Sequence, residues 1–315
     1  MKNYTSISDI DDLESMIGEA RSLKTKNTSS KVGEGKTLGM LFFNPSLRTR
    51  LSTEKAAKLL GMEVMVMNAS KDGWALEFED GAVMNSDKAE HIKEAAAVLS
   101  QYCDVIAVRA FPGLKDREKD ESELVLNSFK KYATVPVLNL ESATGHPLQA
   151  LTDAITIQEF NQAKKPKIVL SWAPHPKALP QSVANSFAEM MQRFDVDFVI
   201  TNPEGYDLDP KIRKDVKVEY NQEKAFENAD FIYVKNWSSY EDYGQVKEIE
   251  RNWTVDKSKL QHTNNARVMH CLPVRRNVVI ADDVLDSENS IVIQQANNRT
   301  YAAQAVLKRI LECAK

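Results

Sequence analysis

The chain has 315 residues, of which 43% are hydrophobic and 27% charged, an ordinary globular composition with enough length for two domains. Its formal net charge of −4 gives no basic field that would favour nucleic acid or an anionic membrane. The cysteines are few and far apart, the N-terminus lacks an apolar leader, and no apolar run reaches the ~20 residues of a membrane span, so we expect a cytoplasmic protein without a disulfide framework.

Short apolar runs rich in β-forming residues alternate along the chain with longer amphipathic runs. The predicted strands are Thr37–Phe43, Glu63–Met67, Val105–Arg109, Val135–Leu140, Lys167–Trp172, Asp197–Thr201, Phe231–Val234 and Arg267–His270. The predicted helices include Leu51–Leu60, His91–Tyr102, Leu148–Phe160, Ala184–Phe194, Gln222–Ala229 and Asn297–Leu311. This alternation predicts the α/β class, and the continuous apolar strands predict parallel sheets covered by helices on both faces.

The strand–helix pattern restarts after the polar stretch Lys164-Lys165-Pro166 and predicts two α/β domains joined by helices. We place the boundary at the helix that begins near His146. The predicted first domain covers residues 1–145, and the second covers residues 146–296. A C-terminal helix at about residues 297–315 could pack on either domain.

The strongest local motif is Asn44-Pro45-Ser46-Leu47-Arg48-Thr49-Arg50, at a junction between a strand and a helix. Free backbone N–H groups and the positive end of the helix dipole attract an anion there, and arginine adds bidentate donors. The alternative is a helix capped by Ser46 with both arginines in solvent. Cations in a first helical turn oppose the dipole, so the pattern favours an anion site.

Polar residues follow other strands at the edge where parallel sheets bind ligands. Arg109 closes a strand and either forms a salt bridge or polarises a carbonyl. Glu141 follows the next strand. His146 precedes a helix whose first turn contains Gln149; the two residues either donate to one ligand, or His146 simply caps the helix.

In the second half of the chain, cations and a cysteine also follow predicted strands. Lys235 follows the strand Phe231–Val234, and Arg275 follows the His270-Cys271-Leu272-Pro273 segment. These cations suit a carboxylate, although surface charge is the plainer reading. Adjacent His and Cys side chains point to opposite sides of an extended chain, so we predict no metal site. The absence of a complete Walker A motif or G-x-G-x-x-G predicts no nucleotide cofactor.

Trp74 and Glu90 lie in a loop-rich stretch that contains Gly73 and Gly81. A mobile loop is the ordinary expectation for such a composition.

The order of these motifs, together with Asn202–Tyr206 and Asn298-Arg299, resembles the aspartate/ornithine carbamoyltransferase family over nearly the whole chain. The resemblance implies a carbamoyl-phosphate domain followed by an amino-acid domain, with the last helix packing back on the first. It also implies a homotrimer with shared active sites and direct transfer without a cofactor. His-Cys-Leu-Pro disfavours an aspartate enzyme.

Matching positions imply the functional residues. The residues implied to bind carbamoyl phosphate are Ser46, Leu47 through its backbone, Arg48, Thr49, Gln149, Leu272 and Trp74, the last from a neighbouring subunit. Those implied to act at the carbamoyl group are Arg109, His146, Cys271 and Arg299. The complete set argues against a non-catalytic protein that only binds carbamoyl phosphate.

One departure concerns the acceptor. Ordinary ornithine enzymes carry Asp-x-x-x-Ser-Met-Gly where this chain has Asp230-Phe-Ile-Tyr-Val-Lys235-Asn-Trp237. A free α-ammonium beside Lys235 would be repelled, whereas an acylated α-amine is neutral. The chain is therefore similar to the N-acylornithine branch, with its knotted second domain, rather than to the ordinary enzymes. There Lys235 and Arg275 would pair with the α-carboxylate, and Glu141 would lie near the α-nitrogen.

The acyl group is acetyl or succinyl. The sequence of the segment Asn139–Gln149 resembles that of the succinyl enzymes. However, the succinyl enzymes carry proline where this chain has Glu90, and the acetyl enzymes carry glutamate there. A carboxylate at position 90 would repel a succinyl carboxylate by ~1 kcal/mol at ~4 Å. On electrostatic grounds we expect acetyl.

Overall fold

The computed structural model describes residues 1–26, 30–69, 71–249 and 252–313. Backbone contacts divide the chain into two compact units. The first comprises Met1–Gly113, Glu118–Leu148 and Arg299–Lys315; the second comprises Leu114–Arg117 and Gln149–Asn298. Residues 314 and 315 of the predicted C-terminal helix lie outside the described residues.

The first unit is built on a parallel sheet. Its strands are β1 (Thr37–Phe42), β2 (Glu63–Asn68), β3 (Leu76–Glu77), β4 (Glu90–His91), β5 (Val105–Arg109) and β6 (Val137–Glu141). The helices up to this point in the chain are α1 (Leu13–Lys26), α2 (Arg48–Leu59), α3 (Ile92–Tyr102), α4 (Arg117–Glu121) and α5 (Leu124–Tyr132). The main sheet has the strand order β2-β1-β5-β6, and β3 pairs with β4 separately.

Helix α2 shows why the polar motif lies at the sheet edge. Its buried residues Thr49, Thr53, Ala56 and Ala57 recur at helical spacing and face the core. The helix ends at Leu59, and Gly61 follows at a φ of 82°, a left-handed conformation that glycine adopts without a Cβ clash. The loop between β1 and α2 therefore holds Ser46 and Leu47 at the carboxyl end of β1.

A register shift in the sheet places two charged residues side by side. Strands β5 and β6 pair regularly from Ile106 and Val137, and the register then shifts between Val108 and Arg109. After the shift Arg109 pairs with Glu141. Strands β5 and β6 thus end with a cation and an anion in contact.

The second unit contains another parallel sheet, with the strand order β11-β10-β7-β8-β9. Its strands are β7 (Lys167–Trp172), β8 (Asp197–Thr201), β9 (Lys217–Val218), β10 (Phe231–Lys235) and β11 (Arg267–Met269). The remaining helices are α6 (Pro147–Phe160), α7 (Ser182–Met191), α8 (Pro210–Arg213), α9 (Gln222–Phe226), α10 (Lys257–Leu260), α11 (Asp282–Leu285) and α12 (Val292–Cys313). Val169, Ile232 and Val268, from three neighbouring strands, lie in one buried core cluster.

The predicted class, two α/β domains with parallel sheets, is confirmed. Several element boundaries were wrong. Helix α2 begins at Arg48, three residues before the predicted start, and α12 begins at Val292 instead of Asn297. Helix α7 ends at Met191 rather than Phe194, α9 ends at Phe226 rather than Ala229, and β6 begins at Val137 rather than Val135. Helices α1 and α5 were not predicted. The buried face of α1, Leu13, Met16, Ile17 and Ala20, follows helical spacing, but its polar surroundings obscure it.

No helix within the described residues is long and apolar enough to cross a bilayer.

Candidate active site

The start of α2 has no side-chain cap. Leu47 occupies the N-cap position with its side chain 67% exposed, and no side chain bonds to the amides of the first turn from that position. The alternative in which Ser46 caps the helix is therefore wrong. Arg48, Thr49 and Arg50 form the first turn, which contains no acidic residue. Amides and guanidinium groups at a helix N-terminus favour an anion.

Two arginines that are distant in sequence converge on this turn. The Thr49 hydroxyl, buried at 2% exposure, accepts a hydrogen bond from Arg299 Nη2 at 2.6 Å. Arg109 Nη1 donates to the same oxygen at 3.5 Å. Arg109 and Arg299 are themselves only 6% and 8% exposed. Thr49 thus joins the end of β5 to the part of α12 that belongs to the first unit.

The convergent cations share one buried carboxylate. Arg109 Nη1 and Glu141 Oε2 are 2.6 Å apart, and the Arg109 guanidinium also lies 4.2 Å from the centre of the Phe111 ring. Glu141 has a φ of 154°, a conformation that residues with a side chain rarely adopt. Two guanidinium groups and one carboxylate leave this buried group of side chains with an excess positive charge, which an anionic ligand would balance.

His146 is the neutral member of the cluster. Its Nε2 lies 3.7 Å from Glu141 Oε2. Burial lowers the pKa of His146 well below its ordinary 6.5, and the positive charges of Arg299 and Arg109 lower it further. The imidazole therefore serves as a neutral hydrogen-bonding group at physiological pH, in addition to preceding α6.

Glu123, which the sequence did not single out, holds the loop between Glu141 and His146. Its Oε1 accepts from the Ser142 hydroxyl at 2.8 Å and from the Thr144 amide and hydroxyl at 2.7 and 2.6 Å. Its Oε2 accepts from the Ala143 amide at 3.2 Å. One carboxylate thus satisfies several donors of a loop that connects two members of the cluster.

Trp74 and Glu90 form a pair of their own. The Trp74 indole N–H donates to Glu90 Oε2 at 2.8 Å, while the indole remains 60% exposed. The structure does not bring either side chain into hydrogen-bond contact with Thr49, Arg109 or Arg299 in the part of the chain it describes.

In the second unit, the predicted residues lie near the strand ends. Gln149 is in the first turn of α6, and its Nε2 donates to Asp153 Oδ1 at 2.7 Å. Cys271 is a half-buried thiol that forms no disulfide bond. Leu272 has a φ of 57°, precedes a cis peptide bond to Pro273, and donates its amide to His270 Nδ1 at 2.8 Å.

Arg275 contacts His175, which the prediction missed, whereas the Lys235 ammonium group donates to the Asn236 carbonyl at 2.7 Å. Arg275 Nε donates to His175 Nε2 at 3.1 Å, and His175 Nδ1 lies 2.9 Å from the Lys177 carbonyl oxygen. Partial burial lowers the pKa of His175, and the hydrogen bond to the Lys177 carbonyl opposes this shift. The positive charges of Arg275, Lys235 and Lys177 lower the pKa further. The sequence signal was available, since His175-Pro176 follows β7 at the ligand-binding edge.

His175 lies in the wall of a cavity of about 220 Å³ inside the second unit. Its walls include Trp172, Tyr206 and Trp253, and His175 and Lys177 also line it. The arrangement suits a ligand with a carboxylate and a less polar remainder. In the described part of the chain, no group of three or more His, Cys, Asp or Glu side chains is arranged to hold a metal ion.

Comparison with known proteins identifies the class to which this architecture belongs. Residues 2–159 match the carbamoyl-phosphate-binding domain of aspartate/ornithine carbamoyltransferases, and residues 180–310 match their aspartate/ornithine-binding domain. The chain belongs to the aspartate/ornithine carbamoyltransferase family, and the predicted family is thereby confirmed.

Individual relatives match over nearly the full length. The chain is 52% identical to the N-succinylornithine carbamoyltransferase of Bacteroides thetaiotaomicron, covering 99% of both chains. It is 37% identical to the N-acetylornithine carbamoyltransferase of Xylella fastidiosa strain Temecula1, covering 94% of both. A crystal structure of acetylornithine transcarbamylase complexed with acetylcitrulline superposes with a TM-score of 0.91 at 35% identity, covering 98% of this chain and 99% of that one.

The buried His146 predicts a pH dependence of stability. The folded state keeps the imidazole neutral, whereas the unfolded state binds a proton below the ordinary pKa of 6.5. The free energy of unfolding should therefore fall as the pH drops below 6.5, with His146 contributing up to about 1.4 kcal/mol per pH unit. Urea unfolding between pH 5 and 8 should show a shallower dependence in His146→Asn. The exposed His262→Asn variant is the matched control, and equal slopes for His146→Asn and wild type would show that the folded state protonates His146.

The contacts of Glu123 predict that Glu123→Gln lowers the stability of the protein and also loosens the Ser142–Thr144 loop. The new amide places a donor against hydroxyl and amide donors of Ser142–Thr144, so the free energy of unfolding should fall by about 1–3 kcal/mol. Amide hydrogen exchange at Ala143 and Thr144 should accelerate. Glu118→Gln, at an exposed position nearby, should change the unfolding free energy by less than about 0.5 kcal/mol. Indistinguishable unfolding and exchange in the two variants would contradict the assigned role of Glu123.

Proposed function

We propose that the protein transfers the carbamoyl group of carbamoyl phosphate to the δ-amine of an N-acylated L-ornithine. The products would be N-acyl-L-citrulline and phosphate, as a step of arginine biosynthesis. The observation that carries this proposal is the buried group of Arg109, Arg299, Glu141 and His146 around Thr49, whose excess positive charge adjoins an uncapped helix N-terminus.

The phosphate would be bound at the start of α2. Ser46, Arg48 and Thr49 supply side-chain donors, and Leu47 supplies its backbone amide. The helix dipole and the lack of acidic residues in the first turn support this assignment. These groups would also stabilise phosphate as it leaves, because negative charge accumulates on the departing oxygen.

The carbamoyl group would be polarised by Arg109, His146 and Arg299. The neutral δ-amine attacks the carbonyl carbon, and the guanidinium groups stabilise the charge that develops on the carbonyl oxygen. The new C–N bond forms, and the bond between the carbonyl carbon and the bridging oxygen breaks, so that phosphate leaves with this oxygen. The surplus amine proton passes to the phosphate. Gln149, Cys271 and Leu272 would contact the carbamoyl group, with Cys271 acting without a covalent adduct.

The acceptor would be held through its carboxylate by Lys235 and Arg275. The hydrogen bond between Arg275 and His175 supports this role, because it fixes the guanidinium beside a neutral imidazole. Glu141 is proposed to face the acylated α-nitrogen in addition to pairing with Arg109. We assign the first unit mainly to carbamoyl phosphate and the second mainly to the acylornithine.

We propose acetyl as the preferred acyl group. The higher identity to an N-succinylornithine enzyme favours succinyl, but identity averages over the whole chain. A carboxylate at position 90 acts directly on the charge that distinguishes the two acyl groups. Its hydrogen bond to Trp74 supports a joint role for the two side chains.

We also propose a homotrimer with shared active sites, in which Trp74 reaches the substrate of a neighbouring subunit. The 60% exposure of its indole supports this role. The knotted second domain and the cytoplasmic location stay predictions.

The reaction can be tested by incubating the protein with carbamoyl phosphate and, separately, ornithine, acetylornithine and succinylornithine. Ureido product should form fastest with acetylornithine and slowest with ornithine. Arg48→Ala should reduce turnover by about 10²–10³-fold without changing the unfolding temperature, because Arg48 supplies charge to the phosphate. The exposed Arg50→Ala is the matched control. Comparable rates in the two variants would remove the phosphate site, and no product with any acceptor would refute the reaction.

Substitution of Glu90 tests the choice of acyl group. Glu90→Gln removes the charge but keeps the side-chain shape and a hydrogen-bond acceptor for Trp74. Glu90→Pro removes the charge, the side-chain shape and the acceptor. Each should raise the ratio of kcat/KM for succinylornithine to that for acetylornithine by about fivefold or more, which corresponds to ~1 kcal/mol. If only Glu90→Pro changes the ratio, loop shape rather than charge selects the acyl group; if neither does, position 90 has no part in the selection.

A further inference from the structure

We propose that Asp153 is a positioning residue that turns the Gln149 amide so that its oxygen reads the NH2 group of carbamoyl phosphate. Asp153 thereby helps the protein to distinguish carbamoyl phosphate from acetyl phosphate, which carries a methyl group in the same place. The inference rests on the proposed function, and it concerns a buried carboxylate to which neither the sequence motifs nor the mechanism assigned a role.

Asp153 is fully buried on α6, one turn after Gln149. Its Oδ1 accepts two hydrogen bonds, from Gln149 Nε2 and from Gln295 Nε2, each at 2.7 Å. An ionised carboxylate only accepts hydrogen bonds. Both glutamines must therefore turn their NH2 groups towards Asp153 and their oxygens away from it.

Gln295 shows the consequence of this orientation directly. Its Oε1 accepts the backbone N–H of His270 at 2.9 Å, while its Nε2 is held by Asp153. Asp153 is thus connected through Gln295 to the residue that precedes Cys271. Burial raises the pKa of the Tyr233 phenol well above its ordinary value, and the neighbouring Asp153 and Cys271 add to this shift, so a protonated tyrosine lies beside both.

The same orientation makes Gln149 present an acceptor to its ligand. The carbamoyl group offers two kinds of polar contact, a carbonyl oxygen that needs donors and an NH2 group that needs acceptors. Arg109, His146 and Arg299 are proposed to serve the oxygen. Gln149 Oε1, which Asp153 directs away from itself, fits the NH2 group. Acetyl phosphate shares the phosphate and the carbonyl but leaves this acceptor without a donor.

Asp153→Asn tests the inference with almost no change in shape. An asparagine amide can turn either its oxygen or its NH2 group towards Gln149, so it no longer determines which end of the Gln149 amide faces outward. Competition and thermal-shift titrations should show the wild type binding carbamoyl phosphate more tightly than acetyl phosphate. In Asp153→Asn, the dissociation constant for carbamoyl phosphate should rise about tenfold, while that for acetyl phosphate changes less than twofold.

A second variant reverses the direction of the bond. In Asp153→Asn combined with Gln149→Glu, the asparagine donates to the new carboxylate, the net charge is that of the wild type, and the other carboxylate oxygen accepts from the carbamoyl NH2. This variant should recover discrimination between the two phosphates relative to Asp153→Asn. Thr201→Val, which removes a partly buried hydrogen bond of 2.6 Å from the Thr201 hydroxyl in β8 to the Glu219 carbonyl, controls for lost stability and should leave the discrimination unchanged.

Equal weakening of both phosphates in Asp153→Asn, equal affinity of the wild type for both, or no recovery in the double variant would each overturn the inference. These binding measurements do not need turnover. A wild type that discriminates the two phosphates as described but forms no ureido product would therefore support the role of Asp153 and refute the proposed reaction.

Discussion

The structure of the first unit depends on the placement of two arginine side chains, Arg109 and Arg299, in a region that excludes water. Burying a guanidinium group is costly unless its charge and its N–H groups are satisfied. Glu141 balances one positive charge at 2.6 Å, and the Thr49 hydroxyl accepts hydrogen bonds from both arginines. The excess positive charge of the two arginines over Glu141 favours the binding of an anion, and a phosphate group has a suitable geometry for guanidinium groups and helix-end amides.

The backbone is irregular where the Arg109–Glu141 pair is assembled. The register shift at the end of β5 brings Arg109 opposite Glu141, and Glu141 has a positive φ. Such conformations persist where neighbouring contacts over-determine them. Glu123 provides those contacts, because its carboxylate holds the loop that immediately follows Glu141. The burial that surrounds the strained segment also keeps His146 neutral. The electrostatics and the backbone strain therefore have the same structural origin.

The sequence predicted the parts of this structure that have local causes. Strand Val105–Arg109 has the predicted bounds, since a continuous apolar run ending in arginine is a strong signal of a buried strand. The first turn of α2 was recognised from its residue types, although the helix starts three residues earlier than its apolar periodicity showed. Glu123 was missed because its contacts come from chain folding, as do the contact of His175 with Arg275 and that of Asp153 with Gln295. The position of His175 after β7 and that of Asp153 one turn after Gln149 were signals that the sequence did contain. The nearest donors of Glu123 are about twenty positions away, and the partner of His175 is 100 positions away.

The distribution of donors and acceptors suits a chain of modest net charge to the two anionic substrates proposed for it. Charge is concentrated where it is needed: guanidinium groups around Thr49, and Lys235 with Arg275 near His175. Neutral groups between charged ones avoid further repulsion, since both His146 and His175 have lowered pKa values and remain available as hydrogen-bonding partners. Asp153 controls the orientation of neutral groups in a similar way. Its carboxylate only accepts hydrogen bonds and therefore determines which end of the Gln149 and Gln295 amides faces outward. In the proposed site, selectivity for a carbamoyl group then follows from the orientation of neutral dipoles, while affinity for phosphate follows from charge.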